Sequence, residues 1–160
     1  MSHPSLSTQA NVSQGTGLQT AGGERIIAMA RTWIGTPYQH QASCRGAGCD
    51  CLGLIRGVWR DLYGEEPEEA PPYDMDWTQC ESRELMRDAA RRHLVEIGLA
   101  EARPGDVLMF RMVRGGPARH AGILAGPGKI IHACSGHAVR EETMGAWARR
   151  MAYAFRFPAE

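Results

Sequence analysis

The sequence predicts a single α+β domain in which helices come first and an antiparallel sheet of about five strands follows. Two observations predict it. Apolar residues recur at helical spacing as far as residue 97, and after Pro104-Gly105 the pattern becomes short apolar segments punctuated by glycine and proline. Helical and strand-like stretches that segregate in this way point to helices packed on an antiparallel sheet, not to a βαβ repeat. A length of 160 residues is that of one ordinary domain, large enough to bury a core without metal or disulfide support.

Residues 1–23 carry almost no large apolar side chain to offset the entropy of ordering them, so they are expected to form a polar arm, with the domain running over 24–160. Ile26, Ile27, Ala30, Trp33 and Ile34 predict a first helix over 24–34, stopped by Gly35 and Pro37. Cys51, Leu54, Ile55, Val58, Trp59 and Leu62 form an amphipathic stripe that Asp50 is placed to cap. The Pro- and acid-rich stretch 64–77 reads as a solvated connection. Leu85, Met86, Ala89, Leu94 and Ile97 predict a further helix over 82–97. Segments 106–111, 120–125, 129–133 and 151–157 read as strands, and Gly126-Pro-Gly-Lys129 reads as the turn of a hairpin.

The 18 basic and 18 acidic side chains cancel, and no basic stripe is interleaved with aromatics, so a nucleic-acid partner is not indicated. No apolar run has the length of a membrane span. The N-terminal residues lack the basic start and apolar centre of a secretory signal, so synthesis in a reducing cytoplasm is expected.

Five cysteines, unevenly clustered, argue against a complete disulfide framework and leave at least one thiol free. Cys44, Cys49 and Cys51 have a C-x4-C-x-C spacing that lacks the usual zinc pairs and would need a fourth ligand; a Cys44–Cys49 disulfide is the other bland alternative. Cys51 differs because the first turn of a helix offers unpaired N–H groups and the positive end of the macrodipole, which favour thiolate. Asp50 opposes that shift, and by position alone Cys51 is a small buried hydrophobe. His120 and His132, on consecutive strands of the expected hairpin, can be direct or diagonal neighbours, and either geometry lets one imidazole orient the other. A helix-start cysteine with two such histidines supplies nucleophile, base and orienting group for acyl transfer. Cys80 reads as an incidental thiol, Cys134 as a packing residue on the His132 face, and His40, His93 and His137 as surface residues, His40 being notable for its place in the Tyr38 loop.

The order Gly35-Thr-Pro-Tyr38, Asp50-Cys51-Leu-Gly53-Leu, Pro104-Gly-Asp106-Val, His120-Ala-Gly-Ile-Leu and Ile131-His132-Ala resembles the NlpC family of papain-like cysteine peptidases, which cleave bacterial cell-wall peptides. More narrowly, Pro71-Pro-Tyr-Asp-Met-Asp-Trp77 and Ala152-Tyr-Ala-Phe-Arg-Phe-Pro158 resemble tail-associated wall peptidases of phages and gene transfer agents. The resemblance implies a papain-like fold with Cys51 as nucleophile, His120 as general base and His132 as the residue that holds the His120 ring. It implies that Tyr38 lines the substrate pocket or helps hold the oxyanion, and that Asp50 matches an acid which in some relatives receives a free peptide amine. Leu52 departs from the family's serine and removes a polar partner for such an amine.

The implied substrate is the stem peptide of peptidoglycan, cut between D-glutamate and diaminopimelate, with no metal or other cofactor. The implied setting is a particle tail, the arm docking on a hub or baseplate protein and the enzyme acting at the wall of the target cell. A catalytically silent tail component, a zinc-binding interaction module, and an amidase or acyltransferase on the same scaffold are the alternatives.

Overall fold

A computed structural model describes residues 15–69 and 83–159. Residues 1–14 of the expected arm, the 71–77 segment and Cys80 lie outside the described residues. The helices are α1 (Gly15–Arg31), α2 (Cys51–Tyr63) and α3 (Leu85–His93). The strands are β1 (Ser43–Cys44), β2 (Gly48–Cys49), β3 (Val95–Ile97), β4 (Val107–Arg111), β5 (Ala118–Gly126), β6 (Lys129–His132), β7 (Arg140–Thr143) and β8 (Met151–Arg156). β1 and β2 form a small hairpin, and the other six strands form one antiparallel sheet in the order β3-β8-β4-β5-β6-β7.

Side-chain alternation along the strands makes two apolar faces. Val107, Met109, Ile123, Ile131 and Phe155 pack with Ile27, Ala30, Trp33, Leu54 and Val58, so the helices cover one face. Leu108, Phe110, Leu124, Ile130 and Ala154 form the other, with Met144 and the partly buried Trp147 against it. Trp147 belongs to a 3-10 turn, Gly145–Arg150, that leads into β8.

α2 matches its stripe. Leu54 and Val58 are buried, and the Asp50 Oδ1 accepts the Gly53 N–H at 2.7 Å as the expected N-cap. α1 differs at both ends from the helix expected over 24–34. It begins at Gly15, within the expected arm, because backbone hydrogen bonding propagates through residues that carry no apolar stripe once a helix is nucleated. It ends at Arg31, where i→i+3 bonds from Thr32, Trp33 and Ile34 tighten the chain into a turn.

The helix expected over 82–97 is a helix and a strand. α3 stops at His93, Leu94 is extended, and Val95–Ile97 pairs with β8. Both are good strand formers, and the unpaired edge of β8 outweighs the local helical period. Glu96 then bonds back to Arg87 and Arg91, fastening the strand to its own helix. β7, of sequence Arg-Glu-Glu-Thr, and the β1–β2 hairpin were not foreseen, since neither has an apolar alternation.

Gly57, buried in α2, lies against the indole of Trp33, where an added Cβ would come within 2.0 Å of a ring carbon. Gly57→Ala is expected to lower unfolding free energy by about 1–3 kcal/mol, as overpacking does, read by urea denaturation; an unchanged midpoint would show that the contact of α2 with Trp33 is not tight.

Candidate active site

Cys51 opens α2, and its sulfur rests on the sheet at β5, accepting the N–H of Ala121 as well as that of Leu52. Burial, then the neighbouring Asp50 charge, pushes its thiol up to about 12, against those two N–H bonds. The N–H groups favour thiolate and Asp50 opposes it, as expected, but burial decides the balance for the thiol. A helix end is worth about 0.3–1 kcal/mol, under one pKa step of 1.36 kcal/mol, too little to offset desolvation and an adjacent carboxylate.

Asp50 is itself 2% exposed. Its Oδ2 accepts the Gln41 N–H at 2.7 Å while Oδ1 caps α2, and His40 Nδ1 lies 3.9 Å from Oδ2. The carboxylate thus ties the Tyr38–Gln41 loop to the helix. Tyr38 is half-buried, bridged to Cys49, with its hydroxyl pushed up to about 12 by burial and by Cys51 and Asp50 nearby.

His120 lies on β5 opposite Phe110 and points to the face away from the helices. The β5–β6 register pairs Ile123 with Ile131, so His132 is a diagonal neighbour of His120, with Gly122 between them. A Cβ on Gly122 would run into Ile130 and come within 3.0 Å of the His132 Cβ, so the glycine leaves room for the pair. His120 Nε2 and His132 Nδ1 are 2.8 Å apart, and His132 Nε2 is 2.6 Å from Glu142 Oε1.

These two contacts fix the protons. A carboxylate only accepts, so His132 Nε2 carries the hydrogen bonded to Glu142, and the neutral ring presents a lone pair at Nδ1. His120 must then donate from Nε2, which leaves its own Nδ1 as an acceptor. Trp147 stacks on the His120 ring at 4.6 Å and meets His132 edge-on at 5.7 Å. Burial, reinforced by His132, pushes His120 down to about 3, and burial also lowers His132 against the pull of Glu142.

The structure therefore brings His120 and His132 into direct contact and sets Cys51 against the residue that follows His120. Among the described residues no hydrogen bond joins the Cys51 sulfur to the His120 ring. Glu142 and Trp147 were missed by sequence reasoning. The first sits in a wholly polar strand and the second in a turn, and neither position carries a period. Cys134, just past the end of β6, lies on the His132 side as expected, half-buried at the pair, 3.3 Å from His132 Nδ1 and 3.8 Å from His120 Nε2. Cys44 is exposed and Cys49 buried, both as free thiols in the β1–β2 hairpin. His93 contacts Glu68 at 3.0 Å, and His137 is exposed. Leu52 lines an apolar cavity of about 520 Å3, together with Ile55, Trp59, Met86, Leu94 and Ala121.

A model of the NlpC/P60 family matches residues 35–156, from the Tyr38 loop to the last strand. The chain belongs to the NlpC/P60 family. It is 27% identical over 128 residues to murein DD-endopeptidase MepS/murein LD-carboxypeptidase of Escherichia coli strain K12, covering 79% of this chain and 58% of that protein. It is 34% identical over 98 residues to murein DD-endopeptidase MepH of the same strain, covering 61% and 31%. The chain thus spans less than two thirds of the length of either NlpC/P60 relative. Among solved NlpC/P60 folds, it matches the domain of the peptidoglycan hydrolase SagA with TM-score 0.58 at 25% identity, covering 84% of this chain and 98% of that one. It matches the peptidoglycan hydrolase RipB of Mycobacterium tuberculosis with TM-score 0.61 at 18% identity, covering 94% and 75%.

Glu142→Ala leaves the fully buried His132 ring without its acceptor, and is expected to cost about 1–3 kcal/mol in urea denaturation, with Glu142→Gln costing less. Equal costs for the two variants would deny the hydrogen bond its role.

A histidine held neutral by burial binds fewer protons folded than unfolded, so its contribution is complete above the ordinary value of 6.5 and is lost as pH falls toward about 3. Acidification from pH 7 to pH 5 is expected to destabilise the wild type more than His120→Gln; identical slopes would contradict the burial.

Proposed function

We propose that this chain is a cysteine peptidase that hydrolyses a bond in the stem peptide of bacterial peptidoglycan, the bond between D-glutamate and diaminopimelate, as part of a phage or gene transfer agent tail. The observation that carries the catalytic reading is the one-way hydrogen-bond relay from His120 through His132 to Glu142, which leaves His120 Nδ1 as a proton acceptor, while the sulfur of the helix-start Cys51 rests on the backbone of Ala121, the next residue along β5.

At rest, burial keeps thiol and imidazole neutral. When the scissile carbonyl enters, the Cys51 sulfur exchanges its Ala121 contact for His120, gives its proton to Nδ1 and bonds to the carbonyl carbon. The Cys51 N–H belongs to a helix's first turn, where N–H groups lack intrahelical partners, and it faces the developing oxyanion with Tyr38 as a second donor. His120 is now an imidazolium whose Nε2–H still reaches His132, and the Glu142 carboxylate at the end of the relay stabilises the added charge. It returns the proton to the leaving amine as the C–N bond breaks, giving a thioester. Water then loses a proton to Nδ1, attacks the thioester, and the sulfur departs to take that proton back.

MepS and MepH are named as murein endopeptidases, which supports peptidoglycan as the substrate. The tail setting is supported by the likeness of the 71–77 and 152–158 segments to tail-carried peptidases, and by a net charge of +0, which gives little attraction to an anionic wall and makes carriage useful. In this setting residues 1–23 dock on a hub or baseplate protein, and the enzyme works at the wall of the target cell without entering a membrane. With Leu52 in the wall of an apolar cavity, recognition rests on the interior of a stem peptide rather than on a free amine.

Mass spectrometry of purified muropeptides after incubation tests the reaction. Wild type is expected to release fragments cut after D-glutamate, with the rate falling on the order of 10^4-fold or more in Cys51→Ala and His120→Ala. Unaltered muropeptides with wild type, or a Cys51→Ala variant that still cuts, would end the peptidase reading. Particles carrying Cys51→Ala are expected to assemble normally and fail to deliver DNA; intact delivery would favour a silent structural role.

A further inference from the structure

Among the described residues, Cys134 is a metal-binding side chain at the histidine pair that the proposed reaction leaves idle. We propose that His120, His132 and Cys134 form a binding site for a borderline-soft divalent cation of the zinc class, and that the bound cation switches off the base at His120. The site stands on geometry alone; its inhibitory consequence rests on the peptidase reading.

The three donor atoms, His120 Nε2, His132 Nδ1 and Cys134 Sγ, all lie within 4.8 Å of one another. Their separations are 2.8, 3.3 and 3.8 Å. Zinc bonds of about 2.0–2.3 Å to imidazole and thiolate span tetrahedral edges of about 3.3–3.6 Å, so the donor separations lie within about half an ångström of that geometry, and binding also tilts the two rings so that the nitrogens now aimed at each other turn their lone pairs on the ion. Three protein donors leave the fourth place of a tetrahedral site for water. Nitrogen and thiolate donors select zinc-like ions over magnesium or calcium. The second shell is present as well, because Glu142 already accepts from His132 Nε2 at 2.6 Å, the carboxylate–histidine contact that orients a metal-bound imidazole through its other nitrogen. Access is from the Cys134 side, since His132 is 0% and His120 6% exposed while Cys134 is half-buried.

The proton balance explains the inhibition. In the relay, His120 Nε2 carries a hydrogen and His132 Nδ1 a lone pair; a cation between them needs lone pairs on both. The His120 hydrogen therefore moves to Nδ1 through solvent, and the Cys134 thiol loses its proton, so one proton is released per cation bound. Nδ1–H can no longer accept from Cys51. The ring that served as base becomes a ligand, and Cys51 stays a thiol without being touched.

The test uses the whole chain, kept reduced, with Co2+ as a spectroscopic stand-in for Zn2+. One equivalent of Co2+ is expected to give a thiolate-to-cobalt charge-transfer band in wild type and in Cys51→Ala, absent in Cys134→Ser, and abolished by added Zn2+. Stoichiometric Zn2+ is expected to slow muropeptide cleavage at least tenfold in wild type, reversibly with a chelator, and to leave Cys134→Ser cutting at the metal-free rate. A band that survives Cys134→Ser, a band that needs Cys51, or no band in folded wild type overturns the site. The two readings fail separately: a band in a protein that cuts nothing removes the peptidase and keeps the site, and cleavage without a band does the reverse.

Discussion

The direction of proton donation from His120 to Glu142 is the constraint on which the rest of the site depends. Two histidines in contact have several tautomers of similar energy, and only one leaves the outer nitrogen of His120 free to accept. A carboxylate at the far end removes the choice, because Glu142 cannot donate and so must be donated to. The fold supplies that carboxylate from β7, one strand beyond the hairpin that carries both rings, and packs Trp147 over the near ring. Sheet register thereby becomes chemistry: a slip of one residue in β6 or β7 would turn His132 or Glu142 to the opposite face.

Burial then determines the resting state. The same exclusion of water that orients the rings disfavours charge on each of them and on Cys51, so sulfur and imidazole are both neutral before substrate arrives. A standing thiolate would be open to oxidation and to any passing electrophile. In the proposed reaction the thiolate forms only as the proton moves to His120, when the developing oxyanion and the Glu142 charge share the cost. The half-buried Cys134 beside the rings is pushed toward its neutral form for the same reason, and so adds no charge to the pair in the absence of a cation.

What was legible in the sequence follows from which signals are periodic. The α2 stripe, its Asp50 cap and the β5–β6 hairpin are written in apolar spacing and turn residues, and each stands where it was expected. The 82–97 stretch has a helical period throughout, yet its last residues serve a strand, because an open sheet edge is information held by β8 and not by the segment itself. β7 is all polar or charged and so gives no alternation, although it carries the acceptor that orders the site. His120 and His132 were visible as a pair, but the diagonal geometry depends on Gly122 and on the irregularity between Leu124 and Gly126, which no local pattern encodes. The helix-start field at Cys51 was visible as well; the depth of burial that overrides it belongs to the tertiary structure.

Asp50 shows how architecture and reactivity compete at one residue. Its charge opposes thiolate formation at Cys51 and Cys49 and phenolate formation at Tyr38, which the neighbour of the proposed nucleophile should avoid. Yet its two oxygens accept from Gly53 at the start of α2 and from Gln41 in the preceding loop, and Gln41 holds φ 63, a conformation that needs an outside anchor. An N-cap is worth about 1 kcal/mol, and a charge-assisted bond to a backbone N–H about 1.5–3 kcal/mol. Together they fix where the helix begins, and hence where the sulfur and the Cys51 N–H point. An amide in place of Asp50 would relieve the electrostatic penalty and could still offer one oxygen, but it would have to meet one of the two N–H groups with its own NH2. The acid thus serves through its two acceptors, and in the proposed reaction the penalty it places on Cys51 is met only when substrate brings the proton transfer to His120 into play.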